Sequence, residues 1–389
     1  MLASLHVQNF KCLRDVEVAF GPFTVLIGPN DSGKSSILDA LRMLGRTVVE
    51  PISAIFKGDD ELRLLAWKGD RSAKGPSSIV WSMELNGFQA RWRYELTVEL
   101  PDLYEHLVFL EDEHPMGPME AKSSSRERTE LSKRVHPDYE ARGTGGLPTT
   151  YYNFATDHGR EMIALARAPR YRLNPDLLRS PAVPTPDAVL SATGDNLVAV
   201  LDRLITGPDR SAIARLEQAL HEAVPTLRGI ALRTVDGKTG AKSLEFVLSA
   251  GTKGPPVTIP CAHASDGAML LTAFLALAFS DEPGLILIEE PENGLHPLRL
   301  QSVVEMLRKI SEGALGNAPR QVIITTHSPL LLNYTRPEEV RIVRRDLEKG
   351  TMVTPMSEVP DVQELLGEFG AGELWYLLGE QALVEGKKP

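Results

Sequence analysis

Cysteine is nearly absent from this 389-residue chain, which has only Cys12 and Cys261. Two thiols cannot form a disulfide framework. Long apolar runs are missing too. The longest, Met269 to Phe279, is interrupted by Thr272. It falls short of the roughly 18 to 20 residues that cross a bilayer, and it reads as a buried helix. The opening Met1-Leu2-Ala3-Ser4-Leu5-His6-Val7 lacks the charged start and apolar middle of a signal peptide. The expected location is therefore cytoplasmic, with no membrane partner. Neither a repeat of fixed period nor a sustained heptad pattern is present, which argues against a solenoid or a long coiled coil.

An excess of positive charge is lacking as well. A net charge of −10 excludes a surface that is basic all over, so nucleic-acid contact needs a local patch. Candidates are Arg126, Arg128, Lys133, Arg134 and Arg142, then Arg160, Arg167, Arg170, Arg172 and Arg179. Runs of this kind are more often solvated faces than binding sites. The 42% hydrophobic and 24% charged fractions are those of an ordinary globular protein. The length allows two domains, or one large domain with an insertion.

What the chain does have is Gly28-Pro29-Asn30-Asp31-Ser32-Gly33-Lys34-Ser35, with Ser36 following, in the pattern G-x-x-x-x-G-K-S. The apolar run Phe23 to Ile27 before it reads as a buried strand, and Ser36 to Leu44 after it as a helix. That context makes the short pattern specific for a phosphate-cradling loop. The glycines let backbone N–H groups curl round a polyphosphate, and the helix presents its positive end to the same charge. Lys34 is placed to reach the β- and γ-phosphates, and Ser35 to offer a hydroxyl to Mg²⁺. ATP and Mg²⁺ are the expected substrate and metal.

Alternation at Leu5, Val7, then Val16, Val18 and Phe20 predicts two strands around a turn at Lys11-Cys12-Leu13. Ile79 to Leu85, Asn86-Gly87 and Phe88 to Glu99 predict a β-hairpin. Residues 112–148, rich in Ser, Arg, Gly, Glu and Pro, read as a long exposed or partly disordered insertion. Gly194-Asp195-Asn196 is expected to cap a helix through Leu204, and Arg210 to Ala223 to form another. A second hairpin is expected from Leu227 to Val235 and Ser243 to Leu248. An α/β pattern follows: helix Gly267 to Phe279, strand Leu285 to Ile288, helix Leu298 to Ile310, strand Gln321 to Thr325.

The strand Leu285 to Ile288 runs into Glu289-Glu290. In a parallel sheet, ligands sit at the carboxyl ends of the strands, so both acids would face the phosphate loop. Glu289 is then expected to hold the Mg²⁺ hydration shell and Glu290 to polarise the attacking water. Taken alone, the acid pair is equally a strand exiting into solvent. Val322 to Thr326 supplies another buried strand ending at His327, whose imidazole could hydrogen-bond the γ-phosphate. Upstream, Ser265-Asp266-Gly267 either offers N–H groups to an anion or merely caps a helix. Cys261 and His263 are too few for a metal site and read as structural.

The order G-x-x-x-x-G-K-S, S-D-G-helix, strand-E-E-P-E-N-G-L-H-P and I-I-T-T-H-S-P-L-L resembles the ABC-type ATPase heads related to RecF and SMC proteins. It is most similar to their AAA_21/AAA_15, OLD-like branch. Val7-Gln8-Asn9-Phe10-Lys11-Cys12-Leu13 resembles that family's first strands. The resemblance implies an α/β fold: an ABC-type P-loop ATPase head, split, with a mixed sheet, a helical lobe and an inserted α+β region. The expected parts are residues 1–50 with the phosphate loop, insertion 51–190, helical and hairpin lobe 191–260, and 261–389 with the remaining motifs. It further implies that Ser265, Asp266 and Gly267 are a signature loop touching the γ-phosphate held by the other subunit. Asn293, Gly294 and His296 become the D-loop, and His327 the switch histidine.

A signature loop that serves another subunit's nucleotide implies an ATP-driven homodimer or higher oligomer. The role implied is that of a sensor or switch in anti-phage defence or DNA repair, acting on a separately encoded effector, a nuclease or toxin. DNA or RNA is a possible partner. OLD-like nucleases carry a Toprim domain, whereas Leu383 to Pro389 is followed by no Asp-x-Asp, so no nuclease activity is expected of this chain alone. The alternative reading is the ATPase subunit of a membrane transporter. The ending E-E-P-E-N-G-L-H-P departs from the D-E-P-T-x-x-L-D usual there. A metabolic P-loop kinase is disfavoured by the signature and histidine elements.

Overall fold

The computed structural model describes residues 1–50, 55, 64–67, 78–86, 91–99, 102–109, 121–124, 164–165, 168–249, 257–280, 284–346, 348–359, 370, 372–373 and 375. The chain divides into two compact units. The first comprises Met1–Ala168, Pro283–Leu285 and Arg336–Pro389; the second comprises Pro169–Glu282 and Ile286–Thr335. The phosphate-loop half and the acidic half of the motif set therefore fall in different units.

In the first unit, β1 (Leu2–Phe10) and β2 (Leu13–Ala19) pair antiparallel across the Lys11-Cys12 turn. The sheet continues through β4 (Ile79–Asn86), β5 (Arg91–Glu99), β6 (Asp102–Phe109) and β7 (Ala121–Ser124), in the order β2-β1-β4-β5-β6-β7. Alternation sets its buried face. Leu5, Val7, Trp81 and Met83 are fully buried, and the Phe10 and Trp81 rings lie 5.7 Å apart. The residues expected to make the turn after Asn86, and nearly all of 112–148, lie outside the described residues.

β3 (Phe23–Ile27), buried at every position, leads through the phosphate loop into α1 (Lys34–Val49). β3 lies parallel to β14 (Val340–Asp346), which pairs antiparallel with β15 (Gly350–Pro355). The sequence reading did not anticipate β6, β7, β14 or β15.

The second unit holds short β8 (Arg170–Tyr171), α2 (Pro175–Leu178), α3 (Leu197–Thr206) and α4 (Ser211–Ala223). The hairpin of β9 (Leu227–Thr234) and β10 (Lys242–Leu248), with β11 (Thr258–Pro260), makes a three-stranded sheet. α5 (Asp266–Phe279) is buried from Ala268 onward. β12 (Leu285–Glu289) pairs parallel with β8, and β13 (Gln321–Thr326) follows α6 (Leu300–Ser311). The short α7 (Pro329–Leu332) closes the unit. β12 and β13 are buried throughout, as unbroken aliphatic runs in parallel strands should be.

Two local expectations need correction. Asn196 is the residue before α3, but its carboxamide does not cap the helix. Its Oδ1 accepts from Ser191 N at 2.8 Å and its Nδ2 donates to Val189 O at 2.7 Å, so the side chain ties down the preceding loop. The helix expected from Leu298 begins at Leu300, because Pro297–Arg299 forms a tighter 3₁₀ turn.

Phe274, 1% exposed, lies in the middle of α5. Phe274→Ala is expected to destabilise the protein by about 3–5 kcal/mol through the cavity it leaves, measurable by denaturant unfolding. Among the described residues, no helix is long and apolar enough to cross a membrane.

Candidate active site

The phosphate loop is built by close packing within the first unit. A Cβ on Gly28 would stand 2.0 Å from Val343 O, and one on Gly33 would stand 2.2 Å from Thr351 Oγ1. Gly33 also has φ +112, which strains any side chain. Thr351 Oγ1 donates to Ser32 O at 2.9 Å, tying β15 to the loop. Lys34, 7% exposed, donates from Nζ to Gly28 O and Pro29 O, each at 2.7 Å. Ser35, the second residue of α1, is exposed, next to Ser36, whose Oγ accepts from Cys12 Sγ at 3.2 Å. Pro29, Asn30 and Asp31 are exposed, Asp31 at φ +64.

In the second unit, Glu289 ends β12 with its side chain 7% exposed. Its Oε2 lies 3.5 Å from Arg170 Nε, and its buried Oε1 has no hydrogen-bond partner among the described residues. Glu290 follows at φ +47, a strained conformation for a non-glycine residue and one found at functional sites. Its N–H donates to Thr325 O at 2.8 Å, fixing the turn against β13. Oε2 accepts from Asn293 Nδ2 at 2.6 Å, and Oε1 lies 3.3 Å from His327 Nδ1. The structure thus brings Glu290, Asn293 and His327 into one cluster. A half-exposed imidazole beside a carboxylate can orient it and carry a hydrogen bond to an anion.

Ser265, exposed, stands at the start of α5, and its Oγ accepts from Ala268 N at 3.3 Å. The capping role weighed from the sequence is therefore real. Asp266 Oδ1 accepts from Arg179 Nη2 at 2.6 Å. A Cβ on Gly294 (φ +83) would lie 3.6 Å from Asp266 Cβ, and one on Gly267 would lie 3.5 Å from Leu295 Cδ2. His296 is exposed, with Nδ1 accepting from Leu298 N at 3.3 Å. Cys261 is buried, 3.5 Å from Arg179 O, while His263 is exposed.

Sequence reasoning counted Arg170 and Arg179 among basic candidates for nucleic-acid contact. Both instead engage internal partners, Arg170 at Glu289 and Arg179 at the start of α5. Of the other candidates, Arg126, Arg128, Lys133, Arg134, Arg142, Arg160 and Arg167 lie outside the described residues. Thr351 and Thr326 carried no sequence signal for a role at the site.

Oxygen donors suited to a hard divalent cation and a polyphosphate occur in each unit separately. In the second unit Glu289 Oε1 is a buried carboxylate oxygen with no partner among the described residues; in the first, Ser35 offers a hydroxyl and Ser32 Oγ is a buried oxygen with no partner among the described residues.

A family description reading "AAA domain, putative AbiEii toxin, Type IV TA system" matches residues 23–333, well over half of the chain. This chain belongs to the AAA_21 family. Relatives with curated names include the OLD nuclease of Thermus scotoductus, 24% identical over 425 residues, covering 99% of this chain and 72% of that protein. The Old nuclease of Escherichia phage P2 is 24% identical over 427 residues, covering 99% of this chain and 68% of that protein. Among solved structures, an SMC head crystallised with the C-winged helix domain of ScpA superposes with a TM-score of 0.52. Its identity is 14%, with 91% of this chain and 96% of that one covered. The α/β fold of this AAA_21 chain is that of an SMC head.

One neighbour of the cluster has a pH signature. Glu292 accepts from Thr326 Oγ1, yet its Oε2 is buried without a partner. Burial pushes its carboxyl above the ordinary value, with the Thr326 bond acting in the opposite sense. A carboxyl that holds its proton more tightly when folded stabilises at low pH, and that stability is lost as pH rises through the folded value. Glu292→Gln keeps an acceptor for Thr326 and removes the charge. It is expected to melt above wild type at neutral pH, with the gain vanishing below the ordinary carboxyl range. Thermal unfolding across pH measures this, and a lower neutral-pH melting point in the variant would contradict it.

Proposed function

We propose that this chain is an ATPase that binds ATP at the phosphate loop and hydrolyses it with Glu290 as general base. The observation that carries the reading is the Glu290 cluster: a strained carboxylate held by Asn293 on one oxygen and faced by His327 on the other. A carboxylate fixed in this way is preorganised to take a proton from water. His327 orients Glu290 and is placed to bond the terminal phosphate. Lys34 and the loop amides bind the β- and γ-phosphates. Mg²⁺, held by Ser35 and through water by Glu289, would offset phosphate charge when bound.

The reading extends to pairing of two copies. Ser265, Asp266 and Gly267 contact the nucleotide bound by the other copy, so ATP favours the paired state through contacts that only the triphosphate makes. Asn293, Gly294 and His296 lie at that junction as the D-loop. The cycle switches a separately encoded effector in anti-phage defence or DNA repair, with nucleic acid as the trigger. The names of the two nuclease relatives support the link to nucleic acid. DNA cleavage is assigned to none of the residues named here.

Phosphate release by the purified protein, with light scattering in ATP and in ADP, tests both parts. Turnover that needs Mg²⁺, together with a mass that doubles in ATP alone, is the expected result. Absence of turnover removes the proposal. Stimulation by DNA or RNA is expected of the trigger.

A further inference from the structure

We infer that Arg179 is the positioning residue of the signature loop, and that it makes the loop competent to act on the nucleotide bound by a second copy. The inference rests on the pairing proposed above. Arg179 follows α2, and its side chain is 17% exposed. Its Nε donates to Cys261 O at 3.2 Å. Nη2 donates to Ala264 O at 2.9 Å and to Asp266 Oδ1 at 2.6 Å. Nη1 reaches back to Pro175 O at 2.7 Å.

A single planar fork therefore holds three points of the segment Cys261 to Asp266, which contains the exposed Ser265 and leads directly into the half-buried Gly267. A guanidinium suits this task because its donors have fixed directions and its charge is permanent. An ammonium at the same place would hold one or two acceptors without fixing their plane. Sulfur adds a weak fourth tie, Cys261 Sγ to Arg179 O at 3.5 Å.

The pinned loop also lies near the base cluster. A Cβ on Gly294 (φ +83) would lie 3.0 Å from Pro175 Cγ and 3.6 Å from Asp266 Cβ, beside the two ends of the Arg179 fork. The neighbouring Asn293 holds Glu290 Oε2 at 2.6 Å. A route of neighbouring residues thus leads from Glu290 through Asn293 and Gly294 to Asp266 and Arg179. Proximity alone does not show coupling, which has to be measured.

The test mixes two inactive variants. Arg179→Gln keeps its phosphate loop and spoils its signature loop; Lys34→Ala does the reverse. Each alone is expected to lose phosphate release by at least about tenfold. Arg179→Gln should still bind a fluorescent ATP analogue within about threefold of wild type, which separates positioning from misfolding. Mixed in equal amounts, half the pairs combine the two variants and hold one intact composite site. Turnover should return to about a quarter of wild type. Arg179→Lys is expected to stay impaired and to be rescued in the same way.

A mixture as inactive as its parts overturns the inference. So does full turnover by Arg179→Gln alone, or loss of its own ATP binding. Wild-type protein that releases no phosphate overturns the ATPase reading itself, and this inference with it. An active wild type with an unrescued mixture overturns only the role of Arg179.

Discussion

Glu290→Gln is expected to bind ATP and barely hydrolyse it. Removing a positioned general base lowers turnover by about 10²- to 10⁴-fold. The substitution preserves size and one acceptor oxygen, so the hydrogen bond from Asn293 can survive and the loop geometry with it. What disappears is the ability to accept a proton from water and the carboxylate that faces His327 Nδ1 at 3.3 Å. Because ATP then persists, the paired state should accumulate, as a mass in ATP that no longer decays to that of one copy. Phosphate release and light scattering on the same sample measure both effects. Normal turnover in Glu290→Gln would transfer the base role elsewhere. His327→Ala provides the comparison: it leaves the base in place and removes its orienting partner, so its loss should be smaller.

Much of this site was legible in the sequence because its parts obey local rules. Val25, Leu26 and Ile27, then Ile286, Leu287 and Ile288, then Val322, Ile323 and Ile324 are unbroken aliphatic runs, and all nine side chains are buried. Strands buried on both faces leave that trace, and they deliver residues to their carboxyl ends. The glycines of the phosphate loop were equally readable, since their reason is the tight approach of neighbouring atoms.

Other features were hidden for physical reasons. β14 carries Arg341, Arg344 and Arg345, which suggest a surface segment, yet Arg341 is 8% exposed. Its guanidinium is satisfied by Ala19 O at 2.8 Å and Glu338 O at 2.8 Å, and such satisfaction has no signature in one dimension. The partners of Arg170 and Arg179 were hidden in the same way, since an arginine held by carbonyls or a carboxylate spells the same as a solvated one. The bond from Thr351 to Ser32 joins positions 319 residues apart. No local pattern encodes a contact at that separation. The left-handed backbone at Glu290 was likewise invisible, because its neighbours, not its own type, hold it there.

Gly28→Ala is expected to abolish useful ATP affinity while leaving most of the protein folded. The added methyl would sit 2.0 Å from Val343 O and 2.8 Å from Ser32 Oγ, closer than a Cβ can approach. Val343 O is main chain within β14, which is held by β3 on one side and β15 on the other, so it cannot yield cheaply. The loop itself must move, and the carbonyls of Gly28 and Pro29 that receive Lys34 move with it. Forcing a distortion of this kind costs about 3 kcal/mol, which corresponds to roughly a hundredfold in affinity. Gly237 supplies the control, since nothing lies within 4 Å of its would-be Cβ. Gly237→Ala should bind ATP as wild type does. Titration of both variants with a fluorescent ATP analogue decides the matter: equal affinities would show that the loop does not bind the phosphates, whatever the motif suggests. A loss confined to Gly28→Ala would tie affinity to the packing of β14 against the loop, a dependence that the motif alone does not contain.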